Sequence, residues 1–164
     1  MSREDENIGP LTGVRVLDLT INVLGPVATQ ILGDLGAEVI KVETPSGDPM
    51  RLIGSSKTGM LGPFFQTTNR NKKSVVLDLK KIEEKNALLK IAGGCDVFVH
   101  NMRQAATERL GIDYKNLRKA APNIIYASAT GYRRNSPKDG RPAYDDVIQG
   151  ESGLVDLIDK TNGE

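Results

Sequence analysis

The amino-acid sequence predicts an α/β fold: a Rossmann-like parallel sheet with helices on both faces, in the doubly wound arrangement. Three observations predict it. Five short apolar segments, rich in β-branched residues, alternate along the 164 residues with segments of helical character. The links inside the first strand–helix–strand unit are short, as in parallel sheets. The length suits one domain with its own hydrophobic core.

The first strand–helix–strand unit is the clearest part of this pattern. Residues 14–19, V-R-V-L-D-L, form the predicted first strand, and residues 38–43, E-V-I-K-V-E, form the second. A helix begins at Gly25-Pro26, because proline suits the first turn of a helix. It reaches about Leu35, and Gly36 is its predicted C-cap.

The remaining elements follow the same alternation. We expect strands at residues 74–79, 96–100 and 124–129, and helices at residues 80–92, 107–110, 113–121 and about 144–154. Asp113 is a predicted N-cap. Two long loops, residues 44–71 and 131–142, follow strands and lie where ligands are expected in such a sheet.

The chain divides into three parts. Residues 1–10 are a polar leader that we expect to be flexible, residues 11–157 form the domain, and residues 158–164 are a polar tail. The leader lacks the apolar core of a signal peptide, and no apolar run reaches the length of a membrane span. The single cysteine, Cys95, allows no intrachain disulfide. We therefore expect a cytoplasmic protein with no membrane contact.

Composition and motifs exclude several functions. With 22 basic and 21 acidic residues, the net charge of +1 argues against nucleic-acid binding. The segment after the first strand, T-I-N-V-L-G-P, lacks the G-x-G-x-x-G of nicotinamide-binding folds, and no phosphate-loop motif is present. One histidine and one cysteine cannot form the usual metal site. His100 is interpreted as a strand-end residue and Cys95 as a small buried hydrophobe.

Basic residues mark a candidate anion site. The run N-R-N-K-K at residues 69–73 precedes the third strand, and it is either a phosphate contact or a solvated loop end. Arg103 and Arg109 follow the fourth strand, and we predict that they lie at the same end of the sheet as that run. This convergence favours an anionic ligand.

Paired carboxylates occur at the start of the last predicted helix. Asp145 and Asp146 follow Tyr144, and such a pair can either serve acid–base chemistry or stabilise the helix through its dipole. The stabilising role is the commoner one.

Six blocks in order resemble the CaiB/BaiF, or family III, CoA-transferases. They cover about residues 10–157 and include L-T-G-V-R-V-L-D-L-T, N-R-N-K-K-S-V-V-L-D-L-K, C-D-V-F-V-H-N-M-R, P-N-I-I-Y-A-S-A-T-G-Y and R-P-A-Y-D-D-V-I-Q-G-E-S-G-L. The resemblance implies the N-terminal part of a Rossmann-like large domain and an interlocked homodimer. It also implies that CoA passes from an acyl-CoA thioester to a free carboxylic acid through an aspartyl intermediate, with no metal and no nicotinamide.

Site residues carry over from the resemblance position by position. Tyr144 and Asp145 match a pair that lines the acyl pocket. The predicted CoA contacts are Asn22, Val23, Leu24, Thr44, Arg51, Lys72, Lys73, Asn101, Met102, Arg103 and Arg109. Several positions depart from the family pattern: Val23 is apolar where some relatives have Gln, Thr44 replaces Arg, His100 replaces Glu, and Gln104-Ala105 replaces Pro-Gly.

The family's nucleophilic aspartate has no match in these residues, because neither Asp145, Asp156 nor Asp159 has its sequence context. We therefore expect this chain to supply the CoA-binding part only. Two alternatives stay open. An α-methylacyl-CoA racemase would need His at the position of Tyr144, and a non-catalytic module would bind CoA or a partner chain without turnover.

Overall fold

A computed structural model describes residues 9–57 and 59–162 of the chain. The predicted leader, apart from Gly9 and Pro10, lies outside the described residues, as do the last two residues of the predicted tail. The helices and strands are β1 Arg15–Leu19, α1 Leu24–Asp34, β2 Glu38–Glu43, a 3₁₀ helix Pro49–Leu52, α2 Pro63–Thr68, β3 Lys72–Val76, α3 Ile82–Ala92, β4 Val97–His100, α4 Gln104–Leu110, α5 Tyr114–Ala120, β5 Ile125–Ser128, α6 Asp145–Glu151 and α7 Leu154–Asn162.

The five strands form one parallel sheet in the order β3-β2-β1-β4-β5. At its centre, Leu17 of β1 is in register with Ile40 of β2 on one side and with Phe98 of β4 on the other. The chain winds outward in one direction from β1 to β3 and then crosses to β4. The predicted α/β class is confirmed, and the strand order reverses between β1 and β4, where such folds bind ligands.

A hydrophobic core lies on each face of the sheet, because successive side chains of a strand point to opposite faces. On one face, Leu17 and Phe98 pack with Leu88 of α3 and Leu117 of α5. On the other face, Val16, Val39 and Val99 pack with Leu32 of α1. The prediction of helices on both faces is therefore confirmed.

Of the two predicted helix ends, the N-cap Asp113 is confirmed, and the C-cap of α1 is Leu35, one residue before the predicted Gly36. The Asp113 carboxylate caps α5 and accepts hydrogen bonds from the amides of Lys115 and Asn116. Helix α1 ends at Asp34, and Gly36 follows with a φ of 104°, which a residue with a side chain rarely adopts.

Several predicted segments differ from the structure. The third strand, expected at residues 74–79, is β3 Lys72–Val76, so Lys72 and Lys73 belong to the strand. The stretch 44–71, expected to be irregular, contains the 3₁₀ helix and α2, both of which have proline at their first turns. The single helix expected at about 144–154 is two helices, because Gly153 has a φ of 76° and interrupts the helical conformation after α6. Helix α7 then extends to Asn162, through most of the stretch predicted to be a polar tail.

Candidate ligand site at the carboxyl edge of the sheet

A cleft opens at the carboxyl ends of β1, β2 and β3, on the face covered by α3. Its volume is about 150 Å³. The walls are mainly apolar, and the residues that form them include Leu19, Ile21, Leu77, Leu79, Met102 and Leu110. Thr44, Asp78 and Lys80 add polar groups. An apolar cleft with a few polar groups, at the end of a parallel sheet, has the character of a small-molecule site. We call it the carboxyl-edge cleft.

The segment after β1, residues 20–23, borders this cleft and is called the β1 loop. Ile21 lines the cleft, and Val23 and the neighbouring Leu24 expose much of their side chains to solvent. Asn22 has a φ of 67°, a left-handed conformation that asparagine tolerates better than most residues. Asn22, Val23 and Leu24 therefore lie at the carboxyl edge of the sheet, beside the cleft, and their contact with CoA stays a prediction.

Asn101 connects the two strands at which the strand order reverses. Its side-chain nitrogen donates to the carbonyl of Ile21 at 2.8 Å, and its side-chain oxygen accepts from the Ile21 amide at 3.0 Å. The Asn101 side chain thus joins the loop after β1 to the start of the loop after β4. Met102, the next residue, lines the cleft and packs against the core.

Arg51 is committed to an ion pair with Glu43, the last residue of β2. Two guanidinium nitrogens donate to the two carboxylate oxygens, each at 2.7 Å, and the guanidinium lies 3.8 Å from the ring centre of Phe65. Burial alone would raise the pKa of Glu43, but hydrogen bonds from Arg51 and Ser74 lower it to about 2. This bidentate pair fixes the segment after β2. Because the Arg51 charge is already paired, less of it is available to a ligand.

Lys72 points into the protein, although it belongs to the basic run 69–73. Its ammonium contacts four oxygens at 2.8–3.1 Å: Asp18 Oδ2, the Pro26 carbonyl, Thr29 Oγ1 and Asn69 Oδ1. Burial lowers its pKa, against the effect of Asp18. No N–H of this ammonium is left for a phosphate.

Lys73 lies at the opposite edge of the sheet from the cleft. Its ammonium is 2.7 Å from Glu38, the first residue of β2, which also pairs with Arg15 at the start of β1. Residues at the amino end of a parallel strand and residues that follow a parallel strand lie at opposite edges, and Lys73 is the second residue of β3. The prediction that residues 69–73 and the two arginines after β4 share one end of the sheet is therefore wrong.

Arg103 and Arg109 lie on the correct side for a ligand at the cleft. Arg103 directly precedes α4, at the carboxyl end of β4, and Arg109 is in the last turn of that helix, next to Leu110 of the cleft. Both side chains are exposed, and neither forms an ion pair within the described residues. Thr44 lines the cleft, and its hydroxyl lies 2.8 Å from that of Ser46.

Tyr144 and Asp145 are not brought to the cleft by any described bond. Tyr144 precedes α6 and is 67% exposed. Asp145 accepts a hydrogen bond from Gln149 one turn further along the same helix, at 2.6 Å. Asp145 and Asp146 lie in the first turn of α6, where negative charge stabilises a helix. Their role in an acyl pocket stays a prediction.

His100 is buried at the end of β4. Its Nδ1 accepts from the amide of Met102 at 3.2 Å, its ring packs against Phe98 and Tyr126, and its Nε2 has no partner among the described residues. Burial lowers its pKa to about 4, so the ring is neutral at pH 7. Cys95 is also buried, and burial raises the pKa of its thiol. Both agree with the interpretation as packed, unreactive side chains.

Sequence reasoning missed Lys80, Lys41 and Asp48. Lys80 follows β3, lines the cleft and is exposed, with no ion pair in the described residues. The rule that ligands lie beyond the carboxyl ends of strands could have found it. Lys41 and Asp48 form a buried ion pair at 2.9 Å, for which the sequence gives no signal.

Metal and membrane signatures are not found where the structure can be described. Residues 9–57 and 59–162 contain no cluster of acidic, histidine and cysteine side chains able to hold a metal ion. Over the same ranges no helix is both long and apolar enough to cross a bilayer.

Comparisons with known proteins agree with the motifs. A family model described as CoA-transferase family III matches residues 11–164. A succinyl-CoA:glutarate CoA-transferase of Homo sapiens is 42% identical over 159 residues, which are 96% of this chain and 36% of that protein. A probable fatty acyl-CoA transferase of Mycobacterium tuberculosis is 46% identical over 148 residues, 89% of this chain and 38% of that protein.

Solved structures have the same fold. The crystal structure of a CaiB/BaiF family protein from Brucella suis matches with a TM-score of 0.84 at 35% identity, over 89% of this chain and 40% of that one. The chain thus spans well under half the length of the relatives it matches.

Proposed function

This chain belongs to CoA-transferase family III, and from that membership we propose that it forms the coenzyme A-binding part of an acyl-CoA:carboxylate CoA-transferase. The observation that supports this most directly is the carboxyl-edge cleft, with its apolar walls, the exposed Lys80 in its lining, and Arg103 and Arg109 on the segment that also carries the lining residues Met102 and Leu110. CoA combines a flat adenine ring with phosphate groups; the apolar walls suit the ring, and Lys80, Arg103 and Arg109 supply positive charge for the phosphates. The names of the two relatives describe CoA transfer with succinyl-CoA and glutarate in one case and fatty acyl-CoA transfer in the other.

The proposed binding residues divide by chemistry. The apolar walls of the cleft, including Leu79 and Met102, accept the adenine ring. Arg103, Arg109 and Lys80 face the phosphates, because exposed cations without an ion pair lose little when an anion binds. The β1 loop lies beside the thioester end of the ligand. Its exposed Val23 and Leu24 shield the reacting carbonyl from water.

The proposed reaction divides one exchange into easier steps. An aspartate carboxylate, expected outside these 164 residues, attacks the thioester carbonyl, and the carbon–sulfur bond breaks to give a mixed anhydride and CoA thiolate. The thiolate attacks the aspartyl carbonyl and releases the donor acid as its carboxylate. The acceptor carboxylate attacks the aspartyl thioester, which releases CoA thiolate and forms a second mixed anhydride. The thiolate then attacks the acceptor carbonyl of this anhydride and forms the new acyl-CoA. The aspartate is then free again.

The acyl pocket and the dimer of the whole protein are not assembled by the described residues. We propose that Tyr144 and Asp145 line the acyl pocket and that the whole protein is an interlocked homodimer. Its substrates would be a CoA thioester and a small carboxylic acid. An α-methylacyl-CoA racemase is less favoured, because Tyr144 stands where that chemistry needs histidine.

A second candidate is a module that binds CoA without turnover. One observation favours it: Tyr144 is largely exposed, and no described hydrogen bond or ion pair joins Tyr144 or Asp145 to the cleft residues. Assay of the full-length protein for CoA transfer between an acyl-CoA and a free acid separates the two. Turnover contradicts the binding-only module.

Calorimetric titration of the full-length protein with CoA and with dephospho-CoA tests the proposed site. We expect saturable binding of CoA and weaker binding of dephospho-CoA, since the 3′-phosphate adds charge-assisted contacts. Failure of a folded, monodisperse sample to bind CoA would contradict the proposal.

A further inference from the structure

The main chain of the β1 loop is held by side chains at five successive polar groups. They run from the amide of Thr20, through both groups of Ile21, to the amide of Asn22. The side chains that bond them are Asp18, Lys41, Asn101 and Asp48. Surface loops usually leave such groups to water, so this degree of satisfaction indicates a loop with one fixed shape.

Two of these anchors come from strands next to β1. Asn101, after β4, holds both main-chain groups of Ile21. On the other side, the ammonium of Lys41 in β2 donates to the Thr20 carbonyl at 2.8 Å. The β1 loop is therefore fixed from both neighbouring strands at once.

Lys41 and Asp48 form an ion pair whose remaining bonds go to the same loop. The ammonium lies 2.9 Å from Asp48 Oδ2, and the side chains are 1% and 0% exposed. Asp48 Oδ1 accepts from the amides of Met50, at 3.0 Å, and Asn22, at 3.4 Å. A buried charge pair is stable only when its other bonding positions are also filled, and here the loop fills them.

The shape held in this way is not one the chain adopts freely. Asn22 has a φ of 67°, and such backbone conformations persist where surrounding contacts enforce them. Helix α1 begins immediately beyond, where an added Cβ at Gly25 would lie 2.3 Å from Thr20 Cβ. The loop is thus fixed by hydrogen bonds on two sides and by close packing at its exit.

We propose that Lys41 and Asp48 are positioning residues, whose buried ion pair holds the β1 loop in the shape that the thioester end of CoA requires. The inference rests on the proposed function for the identity of the ligand. The pair acts through the loop main chain, because both charged groups are buried and each bonds a main-chain group of the loop.

The test uses the full-length protein with Lys41→Met and Asp48→Asn combined, which removes both charges and leaves no unpaired one. Hydrogen exchange reports the amides of Ile21 and Asn22 directly, and calorimetry reports CoA affinity. We expect exchange of these amides to rise about tenfold or more, with CoA binding about tenfold weaker. Leu88→Ala, in the buried core beneath α3, is the control, and it should lower stability without changing CoA affinity.

Each outcome decides one of the two proposals. Unchanged loop exchange in the double variant overturns the positioning role, and so does faster exchange with unchanged CoA affinity. Failure of the wild-type protein to bind CoA contradicts the proposed function, while loop exchange still tests the anchoring. If the double variant does not fold, Lys41→Gln combined with Asp48→Asn, which also removes both charges and keeps a polar side chain at each position, is measured in the same two ways.

Discussion

The ammonium of Lys72 lies 3.1 Å from Asp18 Oδ2, and both side chains are almost completely buried beside α1. Asp18 also accepts from the hydroxyls of Thr20 and Thr29, each at 2.6 Å. A charge pair with all its hydrogen bonds made costs little to keep and much to break.

Lys72→Met should therefore destabilise the protein strongly. It leaves the Asp18 carboxylate buried without a counter-charge, which costs about 3–5 kcal/mol in comparable cases. Urea unfolding measures the free energy of unfolding. Lys73→Met is the matched control, since this exposed lysine forms only a surface ion pair, worth less than about 1 kcal/mol. Equal losses in the two variants would contradict the assigned burial of Lys72.

Lys80→Gln should weaken CoA binding, with Lys73→Gln as its control. The two exposed lysines lie near opposite ends of β3, and only Lys80 borders the carboxyl-edge cleft. Loss of one charge-assisted contact predicts an affinity about 3- to 10-fold lower by calorimetry. A similar loss in the Lys73 variant would indicate a general charge effect and would count against the proposed position of the phosphates.

His100 should make stability depend on pH in the acid range. Burial lowers its pKa from 6.5 to about 4, so the unfolded chain binds a proton more readily than the folded one between these values. Stability is complete above pH 6.5 and is lost as the pH falls toward 4, by up to about 3 kcal/mol. The free energy of unfolding of His100→Leu should fall less over this range. Parallel curves for the two proteins would contradict the assignment.

Gly25→Ala and Gly150→Ala should change stability in opposite directions. An added Cβ at Gly25 would lie 2.3 Å from Thr20 Cβ, so overpacking should cost about 1–3 kcal/mol. A Cβ at Gly150 in α6 meets nothing within 4 Å, and the better helix former should add about 0.5–1 kcal/mol. Thermal unfolding of the two variants checks both signs, and a neutral Gly25→Ala would show that the β1 loop yields easily.

The fold could be predicted from the sequence because its signals are local. Strand alternation predicted all five strands of the sheet, and the Asp113 carboxylate marked the start of α5. Helices α2 and α7 were missed, since one lies within a Gly- and Pro-rich stretch and the other follows a break at Gly153. In both places a short-range signal for a loop or a tail was stronger than the helical signal.

The candidate site was harder to predict, because it depends on the direction in which each strand runs and on which charges are buried. The run at 69–73 looks like an anion site by composition, yet it leads into the amino end of a parallel strand and lies at the far edge. Lys41 alternates with apolar residues as an exposed strand residue would. Its burial depends on Asp48 and the Thr20 carbonyl, which only the folded chain brings to it.

Two adjacent lysines thus occupy contrasting environments in one short strand. The side chain of Lys72 is 2% exposed, and that of Lys73 is 75% exposed. An amine-directed acylating reagent should modify Lys73 quickly in the native protein and reach Lys72 only after the sheet opens. One peptide that contains both positions would carry its own reference. The ratio of the two labels would report native folding in a crude extract, without purification or a spectroscopic probe.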